Sequence, residues 1–277
     1  MNIFLGNPPE SIKQWIIEHY TPPTPPASGP LCFTAEQDGS VSLIGWDDDM
    51  GKQIDIFASL QYSTDNSTWQ DWDGHVINLN ASQKVYIKAL NPNPDGMAYY
   101  DEDMGYVTKY NKFIFEGKIA ASGSIQYLLE DTGSRTDVPA YAYYNMFSGC
   151  TALASAPELP ATTLADYCYM LMFSNCSNLT QAPALPATTL ASHCYDTMFA
   201  SCTSLTSAPE LPVTTLADYC YFQMFDGCTS LTQAPALPAT TLAESCYSNM
   251  FSGCSNLTQA PELPATALAN TCYSGMF

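Results

Sequence analysis

Hydrophobic and polar positions follow three rhythms along the chain, and each predicts a different kind of element. Between Glu10 and Tyr20, Ile12, Trp15, Ile16 and His19 fall at helical spacing behind the Pro8-Pro9 pair, with Glu10 in the first turn. That pattern predicts a short amphipathic helix within residues 1–20. Residues 21–30 (TPPTPPASGP) hold too many prolines for a helix or a sheet ladder and predict a stiff, extended spacer. Ile12, Trp15 and Ile16 on such a leash form a candidate anchor; packing onto the next domain is the competing use of the same stripe.

From Leu31 to about Gly123 the rhythm changes to short β-type runs, LCFTA, SVSLIGW, QIDIFASLQYS, HVINL, KVYIKAL and NKFIFEGKI, separated by DG, TDNST, WDG and NPNPDG turn signals. In the run from Lys84 to Ala89, Val85 and Ile87 share one side, and Tyr86 and the lysines share the other. Such spacing predicts a small antiparallel β-sandwich over residues 31–123, similar to the immunoglobulin-like modules of surface proteins. Cys32 is the sole cysteine in this stretch, which excludes a disulfide inside the sandwich.

The third rhythm has a period of 26. Met-Phe recurs at 146, 172, 198, 224, 250 and 276; cysteine recurs at 150, 176, 202, 228 and 254 and again at 168, 194, 220, 246 and 272. Leucine keeps the same step from 153, and prolines keep it from 157 and from 160. A fixed period of this size means a stacked array. Within one unit Leu164, Cys168, Met172 and Cys176 lie four apart with Phe173 and Leu179 beside them, which reads as the apolar stripe of a helix. Leu179 to Pro186 offers only two to four residues of strand, because Pro183 and Pro186 lack an N–H. The expected fold is therefore multidomain: an N-terminal helix, a linker, an antiparallel sandwich, and an α/β solenoid over residues 124–277 made of a cap and about five units. Phe277 falls inside a unit, so the array is expected either to continue or to be covered there.

The run Met-Phe-Ser-Gly-Cys at 146–150, followed by Thr-Ala-Leu at 151–153 and by Pro160 after Leu159, resembles the BspA-like leucine-rich repeats. The resemblance covers roughly half the chain; it departs in its longer period and in the extra proline at 157 and its equivalents. It implies a helix-and-short-strand unit and a bacterial surface adhesin. Joined to a sandwich and a short N-terminal segment, the repeats also resemble virion fibre or surface proteins of phages of gut Bacteroides, the crAss-like group included. That second resemblance implies a virion fibre or decoration protein, on the head in preference to the tail. It would be held to other virion proteins through its N-terminus, form a homo-oligomer, and attach to a host-surface or mucus glycan or protein. A bacterial cell-surface location is the alternative.

Charge narrows the partners. The 277 residues carry 8 Lys and Arg against 27 Asp and Glu, a formal net charge of -19, and the last basic residue is Arg135. Such a surface repels phosphate backbones and anionic lipid, so neither nucleic acid nor membrane insertion is expected, and no apolar run reaches membrane length. The N-terminus lacks a basic segment ahead of its apolar residues; synthesis in a cytoplasm with reduced thiols is expected.

Chemistry-bearing residues are sparse. The 11 cysteines contain no C-x2-C pair. On a helix Cys168 and Cys176 would stand about 12 Å apart, whereas one column would repeat every ~4.8 Å between stacked units. The cysteines are read as buried thiol ladders in preference to disulfides or ligands. His19, His75 and His193 fall in three separate regions and build no triad, so no catalytic residue, resident metal or cofactor is assigned and no enzyme is expected. The carboxylates at Asp47 to Asp49, Asp71 and Asp73, Asp95, and Asp101 to Asp103 could hold Ca²⁺, but none has the spacing of a defined calcium loop.

Surface variation is more informative. The pairs Met170-Leu171, Asp196-Thr197, Phe222-Gln223, Ser248-Asn249 and Ser274-Gly275 differ in every unit, while Tyr169, Tyr195, Tyr221, Tyr247 and Tyr273 stay constant. These tyrosines, with Phe222 and His193, form the candidate binding face, the rings being suited to stack on sugars or on an apolar partner. A half-buried tyrosine ladder is the alternative. His193 shares its column with Tyr167, Tyr219, Ser245 and Thr271, which reads as a solvent-facing position.

Overall fold

The computed structural model describes residues 28–93 and 95–277. The predicted N-terminal helix with Ile12, Trp15 and Ile16, and most of the proline spacer, lie outside the described residues. Among the described residues ten strands precede the repeats: β1 (Leu31–Ala35), β2 (Gly39–Asp47), β3 (Lys52–Ile54), β4 (Leu60–Ser63), β5 (Gln70–Trp72), β6 (Ile77–Leu79), β7 (Lys84–Ala89), β8 (Ala98–Asp101), β9 (Tyr106–Glu116) and β10 (Ile119–Ser122). Three short strands follow, β11 (Asp137–Val138), β12 (Leu153–Ser155) and β13 (Thr163–Leu164).

One sheet runs β12-β10-β1-β7-β4-β5 and another β3-β2-β9-β8, with β6 also paired to β2. The two sheets pack through the inward residues of their strands, Phe33 of β1 meeting Phe113 of β9 at 4.9 Å. Alternation decides which residues those are: on β7, Val85, Ile87 and Ala89 are buried. The run QIDIFASLQYS is split between the sheets, since β3 pairs with β2 and β4 with β7.

The α/β solenoid expected over 124–277 is overturned. Among the described residues the one helical element is a short 3-10 turn, Ile125–Leu128, and the stretches read as helices are chains of overlapping turns. Met170, Met172, Ser174 and Cys176 each donate a backbone N–H to the carbonyl three residues back, while Tyr167, Tyr169, Leu171, Phe173 and Asn175 donate to Ser192, Cys194, Asp196, Met198 and Ala200 of the next unit. The even-numbered carbonyls accept in turn from the unit before, as Met172 does from Phe147. Every second bond is therefore spent between rows, and the backbone groups are satisfied without a helix.

Period decides between the two forms. An α-helix drifts about 40° for every four residues, so a stripe at 164, 168, 172 and 176 would leave its face by about 120°. The turn chain repeats every four residues without drift. It places two residues in and two out: Cys168, Tyr169, Met172, Phe173 and Cys176 are buried, and the pairs between them lie on the other side. Each fourth residue takes the left-handed conformation, Tyr167, Leu171 and Asn175 at φ of 60°, 60° and 61°. Between the turn chains the prolines leave room for little ladder: β11 pairs with β13, and single parallel bridges join Thr163 to Thr189, Gln181 to Ser207 and Thr215 to Thr241.

The sandwich occupies the place of a row before the first unit. β10 pairs in parallel with β12, Phe113 donates its N–H to Met146 at 3.0 Å, and Met97 donates to Ala142 at 2.6 Å. One apolar cluster consequently runs from Leu31 to Met276 without a break at residue 123.

Candidate interaction face

Cross-row bonding carries each side chain directly over its equivalent one unit earlier, so identical residues become columns. The Phe column stacks face to face at 5.4 to 5.8 Å from Phe147 to Phe251. The constant tyrosines do the same, at 5.7 to 5.8 Å from Tyr143 to Tyr273. Tyr169, Tyr195, Tyr221 and Tyr247 are only 1 to 2% exposed. The tyrosines expected to form the binding face are thus core, because they occupy the inward half of the two-in, two-out pattern; Tyr273, in the last row, is part-exposed. At the head of the column, the Tyr143 hydroxyl lies 2.9 Å from both the Ile125 carbonyl and Gln126 Oε1, whereas the Tyr169 hydroxyl is buried with no partner among the described residues.

The cysteines are core as well, all as free thiols. Cys176, Cys202, Cys228 and Cys254 donate their S–H to the carbonyls of Phe147, Phe173, Phe199 and Phe225 at 3.0 to 3.1 Å, and Cys150 repeats the contact on Phe113 of β9. Desolvation pushes the thiols of Cys150, Cys194 and Cys202 up to about 12. Such groups are inert donors, not nucleophiles.

Outward residues form a second set of columns. Tyr100 of β8, Tyr141, Tyr167, His193 and Tyr219 stack face to face at 4.5 to 4.8 Å, all part-exposed. His193, read from sequence as an open position, is the fourth ring of this stack; its Nδ1 lies 2.6 Å from Oδ2 of the buried Asp196, whose Oδ1 accepts from the Thr197 hydroxyl at 2.6 Å. Burial, with Asp166 and Asp196 nearby, raises the Tyr167 phenol above its usual range. Beside the stack runs the column Tyr144, Met170, Asp196, Phe222, Ser248 and Ser274. Beyond it runs Asn145, Leu171, Thr197, Gln223, Asn249 and Gly275, and bonds such as Leu171 N–H to Asp196 and Thr197 N–H to Phe222 keep the two in register. Phe222 leans on Tyr219 at 5.8 Å, and Tyr144 meets Tyr110 of β9 at 5.5 Å. The face thereby continues onto the outer side of the second sheet, over Trp46, Tyr100 and Tyr110.

Carboxylates border this face. Asp166 Oδ1 accepts from the Ser192 N–H and Asp218 Oδ1 from the Glu244 N–H, both at 2.9 Å. Glu244 Oε1 accepts from the Tyr219 hydroxyl at 3.3 Å and from Asn270 Nδ2 at 3.1 Å. The acidic loops of the sandwich cap turns: Asp47 accepts from the Met50 N–H, and Asp101 from the N–H groups of Asp103 and Met104. Among the described residues no three or more His, Cys, Asp or Glu side chains come together in a way that could hold a metal ion. An open groove of about 550 Å³ on the sandwich edge is lined by Phe57, Leu60, Trp72, Asp73, His75 and Leu90. There Asp73 holds His75 at 2.6 Å, and among the described residues no serine or cysteine hydrogen-bonds the imidazole. No helix among the described residues is long and apolar enough to cross a membrane.

The structure brings His193 and Phe222 together on one face and separates them from the constant tyrosines. Sequence reasoning missed Tyr141, Tyr167 and Tyr219 as members, although three aromatic residues and a histidine at the 26-residue step were there to be read. Comparison with protein-family models, with curated proteins and with solved structures returns no match.

Proposed function

We propose that the chain is a non-enzymatic display protein of a phage virion, a fibre or decoration protein on the head in preference to the tail. Its solenoid presents the outward face for attachment to a host-surface or mucus component. The observation that supports this reading is the division of labour within each row: inward pairs are held nearly constant by stacking, while outward pairs such as Met170-Leu171, Asp196-Thr197 and Phe222-Gln223 change from row to row on one rigid frame. The N-terminal segment is the part proposed to engage other virion proteins, and a fibre of this kind is a homo-oligomer. The BspA-like run at 146–160 favours a second reading, a bacterial cell-surface adhesin. Quantitative mass spectrometry of purified particles and of washed cell envelopes separates the two. Co-purification with particles at fixed stoichiometry supports the virion reading, recovery in the envelope alone supports the adhesin, and recovery in neither sinks both.

A further inference from the structure

Building on the reading of the outward face as a binding surface, we infer that its partner is a protein surface with an apolar centre and a Lys or Arg rim, and not a saccharide. Sugars bind aromatic side chains by laying their C–H groups on a ring face. At the three inner rings of the outer stack those faces are occupied, since Tyr141, Tyr167 and His193 each have a ring within 4.8 Å on both sides; Tyr100 and Tyr219 end the stack with a parallel ring on one side. What the stack presents is a ridge of ring edges, flanked by the part-exposed Met170, Leu171 and Phe222. Ridges of this kind interlock with apolar side chains of another protein.

Charge selects the rim. Asp166, Asp218 and Glu244 follow one border of the face, Asp226 stands beyond the other, and Asp48 and Asp49 lie at its sandwich end. Asp166 and Asp218 each have one oxygen fixed by a backbone N–H, which orients the remaining oxygen without further ordering cost. No Lys or Arg follows Arg135 to offset these charges; Lys112, beside Gly149, and Lys109, over the Tyr99 ring, stand only at the sandwich end. A second copy of the solenoid would bring carboxylate to carboxylate, so the complement is a foreign, cationic surface.

The test uses the full chain and a dodecapeptide of alternating Leu and Lys. A Leu-Glu peptide of equal length and cellohexaose serve as competing chemistries. Titrations are run at about 0.01 M and about 0.15 M salt, where the screening length falls from about 30 Å to about 8 Å. The Leu-Lys peptide is expected to bind and the other two are not. Leu171→Ser and Phe222→Ser, both part-exposed and checked for unchanged melting, should each weaken binding about tenfold at either salt. Asp218→Asn should weaken it a few-fold, and mainly at low salt. Glu210→Gln, on the proline-rich side of the solenoid, should leave it unchanged. Equal losses from Asp218→Asn and Glu210→Gln with none from Phe222→Ser would reveal diffuse charge attraction and overturn the inference. So would the absence of binding by any probe. Cellohexaose binding that Phe222→Ser abolishes would overturn the choice of partner while leaving the face itself standing, whereas the virion reading is decided separately by the particle proteome.

Discussion

Aromatic rings pack at mixed angles in the sandwich and at a single angle in the solenoid core. In the sandwich, Phe33 meets Phe113 and Phe115 at 64° and 61°, edge against face, while Phe113 and Phe115 lie within 13° of parallel. In the solenoid, the Phe rings from 147 to 251 lie within 2 to 5° of parallel. Edge-to-face geometry is open to residues brought together from distant strands; a translated row imposes the same orientation on every copy, so its rings can only stack. The difference teaches where stability is vulnerable. A solenoid row touches little beyond its two neighbours, whereas the sandwich gathers remote segments and also seats the first row through Phe113 and Met97.

The sharpest way to break that comparison is at the seat. Gly96 has φ 75°, and a Cβ there would stand 2.5 Å from the Cα and carbonyl oxygen of Ala142. Gly96→Ala is therefore expected to cost about 3 kcal/mol, by left-handed strain and a backbone clash together. Hydrogen exchange should show the loss spreading from the first row into the array. Protection unchanged at Phe147 and Met172 would mean that the sandwich does not seat the solenoid.

Alkali should separate the halves next. The buried thiols keep their protons up to about 12 at Cys150, Cys194 and Cys202, while an unfolded cysteine releases its proton near about 8.5. The native state then holds more protons than the unfolded one, so stability is intact below about pH 8.5 and falls as pH rises toward 12. Each such thiol contributes about 1.4 kcal/mol per pH unit within that window. Urea midpoints followed by circular dichroism at about pH 8 and about pH 10 should drop steeply, with thiols unreactive to aromatic disulfides at the lower pH. A flat profile would show the ladder to be wet.

Within one column, two tyrosines should differ. Tyr143→Phe removes a hydroxyl bonded at 2.9 Å and is expected to cost about 1 to 2 kcal/mol. Tyr169→Phe removes a buried hydroxyl without a partner and should be neutral or stabilise by under about 1 kcal/mol. Chemical denaturation of both variants decides it, equal costs being the result that contradicts the asymmetry. Gly227→Ala is also small: φ is 70° but the added Cβ would be an ordinary 3.4 Å from Ser201 Oγ, so strain alone, about 1 kcal/mol, is expected in thermal melts.

Much of the candidate face was legible in particular residues. Phe222 and the Met170-Leu171 pair announced themselves by changing between rows, and they do face outward. The constant tyrosines left two readings open, a binding face or a structural ladder, and their burial favours the ladder: constancy records the demand of a shared core, since a ring that must stack on its copy cannot vary. Tyr141, Tyr167 and Tyr219 were overlooked for a related reason. Their column changes to Ser245 and Thr271 in the last rows, and nothing local signals that a left-handed tyrosine will stack on its neighbour.

The 26-residue step, the columns it creates and the burial of its cysteines follow from the sequence alone, since a repeated apolar residue has nowhere to go but against its own copy. Strand alternation on β7 is legible for the same reason, each side chain's surroundings being set by its immediate neighbours. Whether a stripe at every fourth residue is a helix or a chain of turns was decided only in three dimensions. The deciding hydrogen bonds run from residues such as Tyr169 to a carbonyl 25 residues ahead, in Cys194, and no local preference encodes a partner that exists only once the next row has been laid down.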